Sequence, residues 1–420
     1  MYINSAVTTT MSGRPRVLVL AHCLPYPPQS GIRTRTFNIL RELQRGFDVS
    51  VVPFSRRVHQ PGPDDREHGR RMLARVVTDI ADPVPIPNEQ SAMRRVWDHL
   101  RSVLTRLPYT TYEYRSHDFR RQLLERMRRG PPQLVHLDSF DLQGWVDDLP
   151  DVPVACTHID IEPMLLRLRA TGMPGVLRRY VHHQADLMQR LMHRECPRFD
   201  LNVMMSELDA ERLQTIAPGS KTHVAPNGVD TEYFRPMHEM SPISGRIVFL
   251  GPTYQFANRD AVEYLIEEIL PRVRNLFPTP SLRLIGRNAD ADRKRWEGEP
   301  GVTCAGQVED IRPLLAEASC VVVPIRIGGG TRLKILDAWA MGKAVVSTAV
   351  GCEGLRAVDG ENILIRDTPH AFADAVCAVL GDPALRQRLG SNGRETVSAS
   401  YAWPRVGQHL RAAYLGLLGV

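Results

Sequence analysis

Residues 319–356 read SCVVVPIRIGGGTRLKILDAWAMGKAVVSTAVGCEGLR, and the stretch parses as strand, glycine loop, helix, strand. Residues 320–325 are a short apolar, β-branched run bounded by turn signals, as a buried parallel strand should be. Gly328, Gly329 and Gly330 follow at once and, lacking a Cβ, let backbone approach a ligand closely. Thr331 opens a helix that Gly342 closes, and residues 344–350 form the next strand. The first turn of such a helix carries unpaired N–H groups and partial positive charge, which suits a phosphate at the carboxyl edge of the sheet. Thr331, Lys334 and Asp337 share one face. A cation there can meet a diphosphate, and a carboxylate one turn deeper can accept hydrogen bonds from a ribose diol. The same spacing also fits a plain surface ion pair between Lys334 and Asp337.

Working outward, residues 16–21 (RVLVLA) read as a first strand. A proline-rich loop over residues 22–31 follows, then a helix over 33–45 and a second strand over 48–53, a doubly wound beginning. Residues 90–130 are helical and rich in arginine. Met93, Trp97, Leu100, Val103 and Leu104 recur at helical spacing, which predicts core on one side and solvated charge on the other. The alternative is an acceptor-side or lipid-headgroup surface. Strands over 133–137 and 153–157 come next. His158, Asp160 and Glu162 follow the second of these, and a long amphipathic helix runs on to about residue 195. A strand over 201–205 precedes the Asn227-Gly228 turn, which marks a domain boundary. The second half starts afresh with strands over 246–250, 282–285 and 302–304, helices over 260–273 and up to 318, and then the opening unit. A strand over 362–366, a helix over 369–380 and closing helices to residue 418 complete it. The fold class is α/β, with two doubly wound sheets facing a cleft.

A chain of 420 residues exceeds one ordinary core, and 43% hydrophobic with 24% charged residues is a globular composition. The net charge of +6 comes from arginine far more than lysine, and arginine suits bidentate phosphate recognition. The seven cysteines are scattered without metal-ligand spacing, so they read as buried thiols in a reducing compartment. No stretch approaches the length of a transmembrane helix, and residues 17–21 are too short for a signal-peptide core. Residues before Arg14 read as a loose tail, with Met11 an alternative start. The expectation is a cytoplasmic protein, compatible with peripheral contact at the inner face of the membrane. Nucleic acid is not expected as a partner: the positive charge lacks interleaved aromatics or a known motif.

Two such domains, joined after PNGVDTEYF (residues 226–234) and with GGGTRLKILDAWAMGKAVVST (residues 328–348) in the second, resemble retaining glycosyltransferases of the GT-B fold. The closest resemblance is to glycosyltransferase family 4, in the exopolysaccharide sugar transferase branch. It implies an acceptor-binding Rossmann-like domain over residues 14–228, a nucleotide-sugar-binding domain over 240–400, and a helix over 401–420 packing back toward the first. In the family, two glutamates eight positions apart contact donor sugar and ribose. They fall here on Gly329 and Asp337, so one carboxylate is missing and one is shortened. Backbone N–H groups of Gly329, Gly330 and Thr331 would take over the first glutamate's contacts. The family's diphosphate-binding arginine and lysine fall on Pro252 and Asn258, so Arg259, Arg332 and Lys334 are the substitutes, the last two preferred. Arg287 matches a position near the base or diphosphate, and Val308 lies in the segment that reads the base edge. Gly31 ends the loop that closes over donor phosphates and acceptor. His158 matches a histidine facing the donor sugar, and Glu353 stands where it could partly replace the missing glutamate. Asp160 and Glu162 are weaker acceptor candidates.

The resemblance implies transfer of a sugar from a nucleotide-diphosphate sugar to an acceptor hydroxyl, with retention, no cofactor and no metal. The acceptor would be a small molecule, a lipid-linked saccharide or a glycan. Arg332, Lys334 and His158 would be the catalytic set. Two alternatives on the same scaffold are a sugar-nucleotide epimerase and a non-catalytic nucleotide-sugar-binding partner of another transferase.

Overall fold

In the computed structural model, which describes residues 13–328 and 332–420, the chain divides into two units. The first runs to Arg101 and takes in Thr110–Thr157 and Arg411–Val420; the second is Ser102–Tyr109 with His158–Leu410.

The first unit is built on β1 (Arg16–Ala21), β2 (Asp48–Ser55), β3 (Asp79–Ile80), β4 (Val84–Pro85), β5 (Leu134–Leu137) and β6 (Val154–His158). All are parallel, in the order β3-β2-β1-β5-β6 with β4 beside β2. β1 is buried almost throughout, and Ile39, Leu40 and Leu43 of the helix Gly31–Leu43 pack as core. Phe54 of β2 stacks on Phe119 at 4.1 Å, and Phe119 tilts against Trp145 at 4.9 Å. The short β3 and β4 escape sequence reading, because two residues carry no periodicity.

The second unit holds the parallel pair β7 (Leu201–Met204) and β8 (Thr222–Val224) and a six-stranded sheet. That sheet consists of β9 (Arg246–Leu250), β10 (Ser281–Ile285), β11 (Val302–Gly306), β12 (Cys320–Val323), β13 (Val345–Ser347) and β14 (Leu364–Ile365). The order is β11-β10-β9-β12-β13-β14, every pairing parallel. The chain builds outward from β9 to β11, then returns to lay β12 on the other side. That reversal opens a crevice at the carboxyl ends of β9 and β12, where ligands collect in doubly wound sheets. Phe249, the valines of β12 and Ile335, Leu336 and Trp339 of the helix Leu333–Ala340 form the core beneath it.

The helix Pro383–Ser400 locks that carrier helix in place. Gly390 lies against the Gly342 carbonyl and Gly393 against the Trp339 ring, so close that a Cβ at either would collide. Trp339 Nε1 donates to the Asn362 carbonyl at 2.9 Å. Arg394 donates to the carbonyls of Phe234 and Thr231, 2.8 and 2.9 Å away, and so ties residues 231–234 to the same assembly.

Two expectations change. The single helix read up to residue 195 is two, Glu162–Ala170 and Gly175–Glu195, broken where Gly172 and Pro174 interrupt the ladder. The apolar stripe of the helix Ala92–Thr105 faces water and is not core: Met93, Trp97, Leu100, Val103 and Leu104 are exposed. Periodicity reveals that a helix has two faces; which face turns inward depends on what the rest of the chain offers it.

Candidate functional site

The crevice between β9 and β12 is built by glycines. Gly251 (φ +150°) ends β9 and Gly286 (φ +139°) ends β10, and a Cβ on Gly286 would lie 2.5 Å from the Gly251 carbonyl oxygen. Only glycine fits both conformations and that approach. The loop after Gly251 is pinned by Thr253, whose N–H donates to the Arg287 carbonyl at 3.0 Å. Across from it, Gly328 (φ +132°) lies against the Arg332 guanidinium, 2.7 Å from where its Cβ would be. Gly329, Gly330 and Thr331 lie outside the described residues.

Lys334 spans the crevice. Its ammonium donates to Asn258 Oδ1 at 2.8 Å and rests over the Phe249 ring at 4.4 Å. Asn258 is in turn fixed by its own amide, which donates to the Pro252 carbonyl at 3.0 Å and Gln255 Oε1 at 3.1 Å. A lysine from the helix Leu333–Ala340 therefore delivers its charge to the asparagine that stands where the resemblance implies a lysine. Burial, with Arg332 nearby, lowers the Lys334 pKa to about 7. Lys334 reaches Asn258 instead of Asp337, so the surface ion pair that the spacing also allowed does not form. Asp337 is half-buried, and desolvation raises its carboxyl to about 7.

Arg332 caps the carrier helix, and its Nε and Nη2 are buried without a partner. Burial lowers its pKa, opposed by the carboxylates of Asp160 and Glu353. Glu353 is ion-paired with Arg212, whose Nη1 lies 3.4 Å from Asp209. Asp209 is held by Ser206 Oγ at 2.7 Å, and a Cβ on Gly354 (φ +76°) would lie 3.1 Å from the Ser206 side chain. Burial and Asp209 raise the Asp160 carboxyl to about 6. Arg332, Glu353 and Asp160, distant in sequence, thus form one charged cluster. Its remaining members, Asp209 and Arg212, escape sequence reading because they lie on a helix with no motif of its own.

His158 is buried at the end of β6, its Nε2 2.9 Å from Asn202 Oδ1. The Asn202 amide is spent on the carbonyls of Cys196 and Lys221, 2.9 and 3.1 Å away. Asn202 therefore offers oxygen, and His158 Nε2 carries the proton. Burial lowers its pKa to about 4, so the ring is neutral. Arg259 is exposed and engaged with Asp292 at 2.9 Å and Glu263 at 3.3 Å. Arg287 is exposed just past β10, and Val308 is half-buried past the end of β11. Gly31 starts the helix Gly31–Leu43 of the first unit.

The first unit has a polar centre of its own that sequence reading overlooked. Its strand order reverses between β1 and β5, and there His22 Nδ1 lies 2.8 Å from Asp138 Oδ1, with Thr36 donating to Oδ2 at 3.1 Å. The available signal was a polar residue directly after each apolar strand.

Two family models match: Glycosyltransferase Family 4 over residues 29–233 and Glycosyl transferases group 1 over residues 244–382. The chain belongs to the family 4-like glycosyltransferases of the GT-B fold. This family 4-like chain is 26% identical over 225 residues to D-inositol 3-phosphate glycosyltransferase of Corynebacterium glutamicum (50% of this chain, 52% of the relative). It spans about half the length of the curated relatives it matches first. Sucrose-phosphate synthase of Thermosynechococcus elongatus has the same fold, with a TM-score of 0.68 at 18% identity, covering 97% of this chain and 100% of that one. So does HepE of Anabaena, solved in complex with UDP, with a TM-score of 0.66 at 12% identity over 96% of this chain and 100% of that one. Among the described residues, no helix of this glycosyltransferase-family chain is long and apolar enough to cross a membrane.

Proposed function

We infer that the chain transfers a sugar from a nucleotide-diphosphate sugar to an acceptor hydroxyl with retention at the anomeric carbon. The observation that carries the reading is the pair of cations at the β9/β12 crevice: Lys334 fixed on Asn258 at 2.8 Å, and Arg332 with two buried, unpartnered guanidinium nitrogens. An orphaned buried donor is costly, and a diphosphate oxygen would satisfy it. Such a dianion would also restore full charge to Lys334. As the bond to the sugar breaks, negative charge grows on the leaving diphosphate, where Arg332 and Lys334 would stabilise it.

In this reading Asp337 accepts from the ribose diol, Arg287 and Val308 border the base, and Glu353 reaches the donor sugar once released from Arg212. Neutral His158 offers the sugar a polar contact and cannot act as an acid at neutral pH. Gly31, first residue of the helix Gly31–Leu43, follows the loop assigned to the acceptor, and Arg259, tied up in ion pairs, is a reserve cation. No metal enters. The leaving phosphate helps to deprotonate the acceptor from the same face, which accounts for retention without a carboxylate nucleophile. HepE was solved with UDP and with UDP-glucose, which supports a nucleotide donor here.

The test is calorimetry with UDP, GDP, ADP, TDP and CDP on the native protein and on Asp337→Ala, followed by NMR of any product's anomeric proton. One diphosphate should bind, and the variant should lose it. If none binds, the reading fails; if the product is inverted, its stereochemistry fails.

A further inference from the structure

The helix Ala92–Thr105 is inside out. Its buried side is polar: Asp98 is 1% exposed and Ser102 0%. Asp98 pairs with Arg94 at 3.0 Å, and Arg94 also donates to the Arg115 carbonyl at 3.3 Å. Ser102 Oγ donates to the Leu107 carbonyl at 2.6 Å and accepts from Gln184 Nε2 at 2.9 Å. The outward side is Met93, Val96, Trp97, Leu100, Val103 and Leu104, between 51% and 82% exposed. These positions recur three and four apart, so they form one continuous apolar stripe. A stripe of this size left to water marks a contact surface.

Charge selects the occupant. The helix has one acidic residue, Asp98, and it is buried and paired. Arg95 and Arg101 are exposed on the helix, and Arg106 stands just beyond its end. The Arg101 guanidinium is held over the Tyr112 ring at 4.4 Å. An apolar stripe with tryptophan in it and only cations at its margins fits an interface of hydrocarbon beneath anionic headgroups. A second copy fits poorly. Two such helices face to face would oppose like charges, and one face of a helix roughly 21 Å long falls well short of the ~800 Å² per partner of a standard interface.

We propose that the helix Ala92–Thr105 is an interfacial anchor that lays its apolar stripe into a bilayer surface carrying anionic phospholipid. The anchor stands whether or not the donor-site reading above holds, because none of its residues belongs to that site.

The test is co-sedimentation of the full chain with phosphatidylcholine vesicles, with and without about one third phosphatidylglycerol. The native protein should pellet with the anionic vesicles and much less with the neutral ones. Salt near 1 M, where the Debye length is about 3 Å, should weaken but not abolish the binding. Trp97→Glu with Leu100→Glu should lower partitioning by about tenfold or more while leaving the thermal melt unchanged, since both side chains are exposed. Arg95→Glu with Arg101→Glu should erase the preference for anionic lipid. Tryptophan emission should shift to the blue on adding vesicles, and Trp97→Phe should lose that shift while still pelleting. Failure of the native protein to bind either vesicle overturns the proposal, as does equal binding by the Trp97→Glu/Leu100→Glu variant. A lipid-free dimer that the same variant converts to monomer would assign the stripe to a second copy and overturn it equally.

Discussion

Lys334 and Asp337, one turn apart, are pushed toward neutrality from opposite sides, each to about 7. Diphosphate binding needs Lys334 protonated and Asp337 ionised. Affinity should therefore peak near pH 7, falling on the alkaline side as Lys334 loses its proton and on the acid side as Asp337 gains one. Calorimetry across pH should show both limbs in the native protein, and the residual binding of Lys334→Met should lack the alkaline limb. The same carboxyl bears on stability. Its folded pKa is raised from 3.8 to about 7, so its favourable contribution is complete below about pH 4 and is lost as pH rises through about 7. Asp337→Asn should therefore stabilise the unliganded protein at pH 8 by about 1–2 kcal/mol, given its partial exposure, and by little at pH 4, as urea melts would reveal. A residue whose removal stabilises the fold but abolishes ligand binding is a mark of function. If Arg332 and Lys334 meet the leaving group, each alanine variant should cost about 10²–10³ in turnover; near-normal rates would remove them from the mechanism. Lys334 and Asp337 were legible in the sequence because three-residue spacing is local. The seat of Lys334 on Asn258 was not, because 76 positions separate the two and nothing in the pattern of either segment points to the other.

Elements carry the next level, and there the sequence was readable wherever a strand is continuous and apolar. β1, β9 and the last helix fall where the pattern puts them. The misreadings have particular physical causes. The Gly172–Pro174 break was visible as two helix breakers, yet the amphipathic period on both sides outweighed it. The helix Ala92–Thr105 has a strong period whose orientation no local rule fixes, since its polar side finds Arg115, Leu107 and Gln184 as partners. Glycine inside a helix ordinarily costs about 1 kcal/mol against alanine. At Gly390 and Gly393 the neighbours reverse that balance. Alanine at Gly390 would press into the Gly342 backbone, and at Gly393 into the Trp339 ring. Each should destabilise by about 1–3 kcal/mol in urea melts, whereas Gly381→Ala, with open space around it, should be neutral or better. The helix those glycines press on carries Lys334 and Asp337, so Gly393→Ala should also weaken nucleotide binding at temperatures well below its melt.

At the scale of the whole molecule, chain order and spatial order part company. The last ten residues, Arg411–Val420, belong to the first unit, although Ser102–Tyr109 and His158–Leu410 belong to the second. Arg411 Nη1 donates to the Glu42 carbonyl at 2.6 Å and sits 3.0 Å from Glu42 Oε2, across 369 positions of sequence. Tyr414 OH lies 2.5 Å from His136 Nδ1. The Glu42 side chain has no solvent exposure, and the Arg45 that also reaches it, at 3.2 Å, is more than half exposed. Arg411 is thus the better-buried of the two cations, and removing it leaves the enclosed carboxylate only the exposed Arg45. Arg411→Ala should cost about 3–5 kcal/mol, whereas the double change Arg411→Met with Glu42→Leu should recover most of that loss, because apolar groups of similar volume need no partner. Unfolding by urea, followed through Trp145 and its neighbours in the first unit and through Trp339 in the second, would locate the loss. A transition that moves in the first unit alone means the tail closes that unit and no other. Loss confined to the second would show that the Arg411–Glu42 pair does not hold the first together. The same long separation predicts slow closure of the first unit, since a contact across 369 positions carries the loop entropy of everything between. A chain ending at Leu410 should accordingly refold its second unit and leave the first less protected against amide exchange.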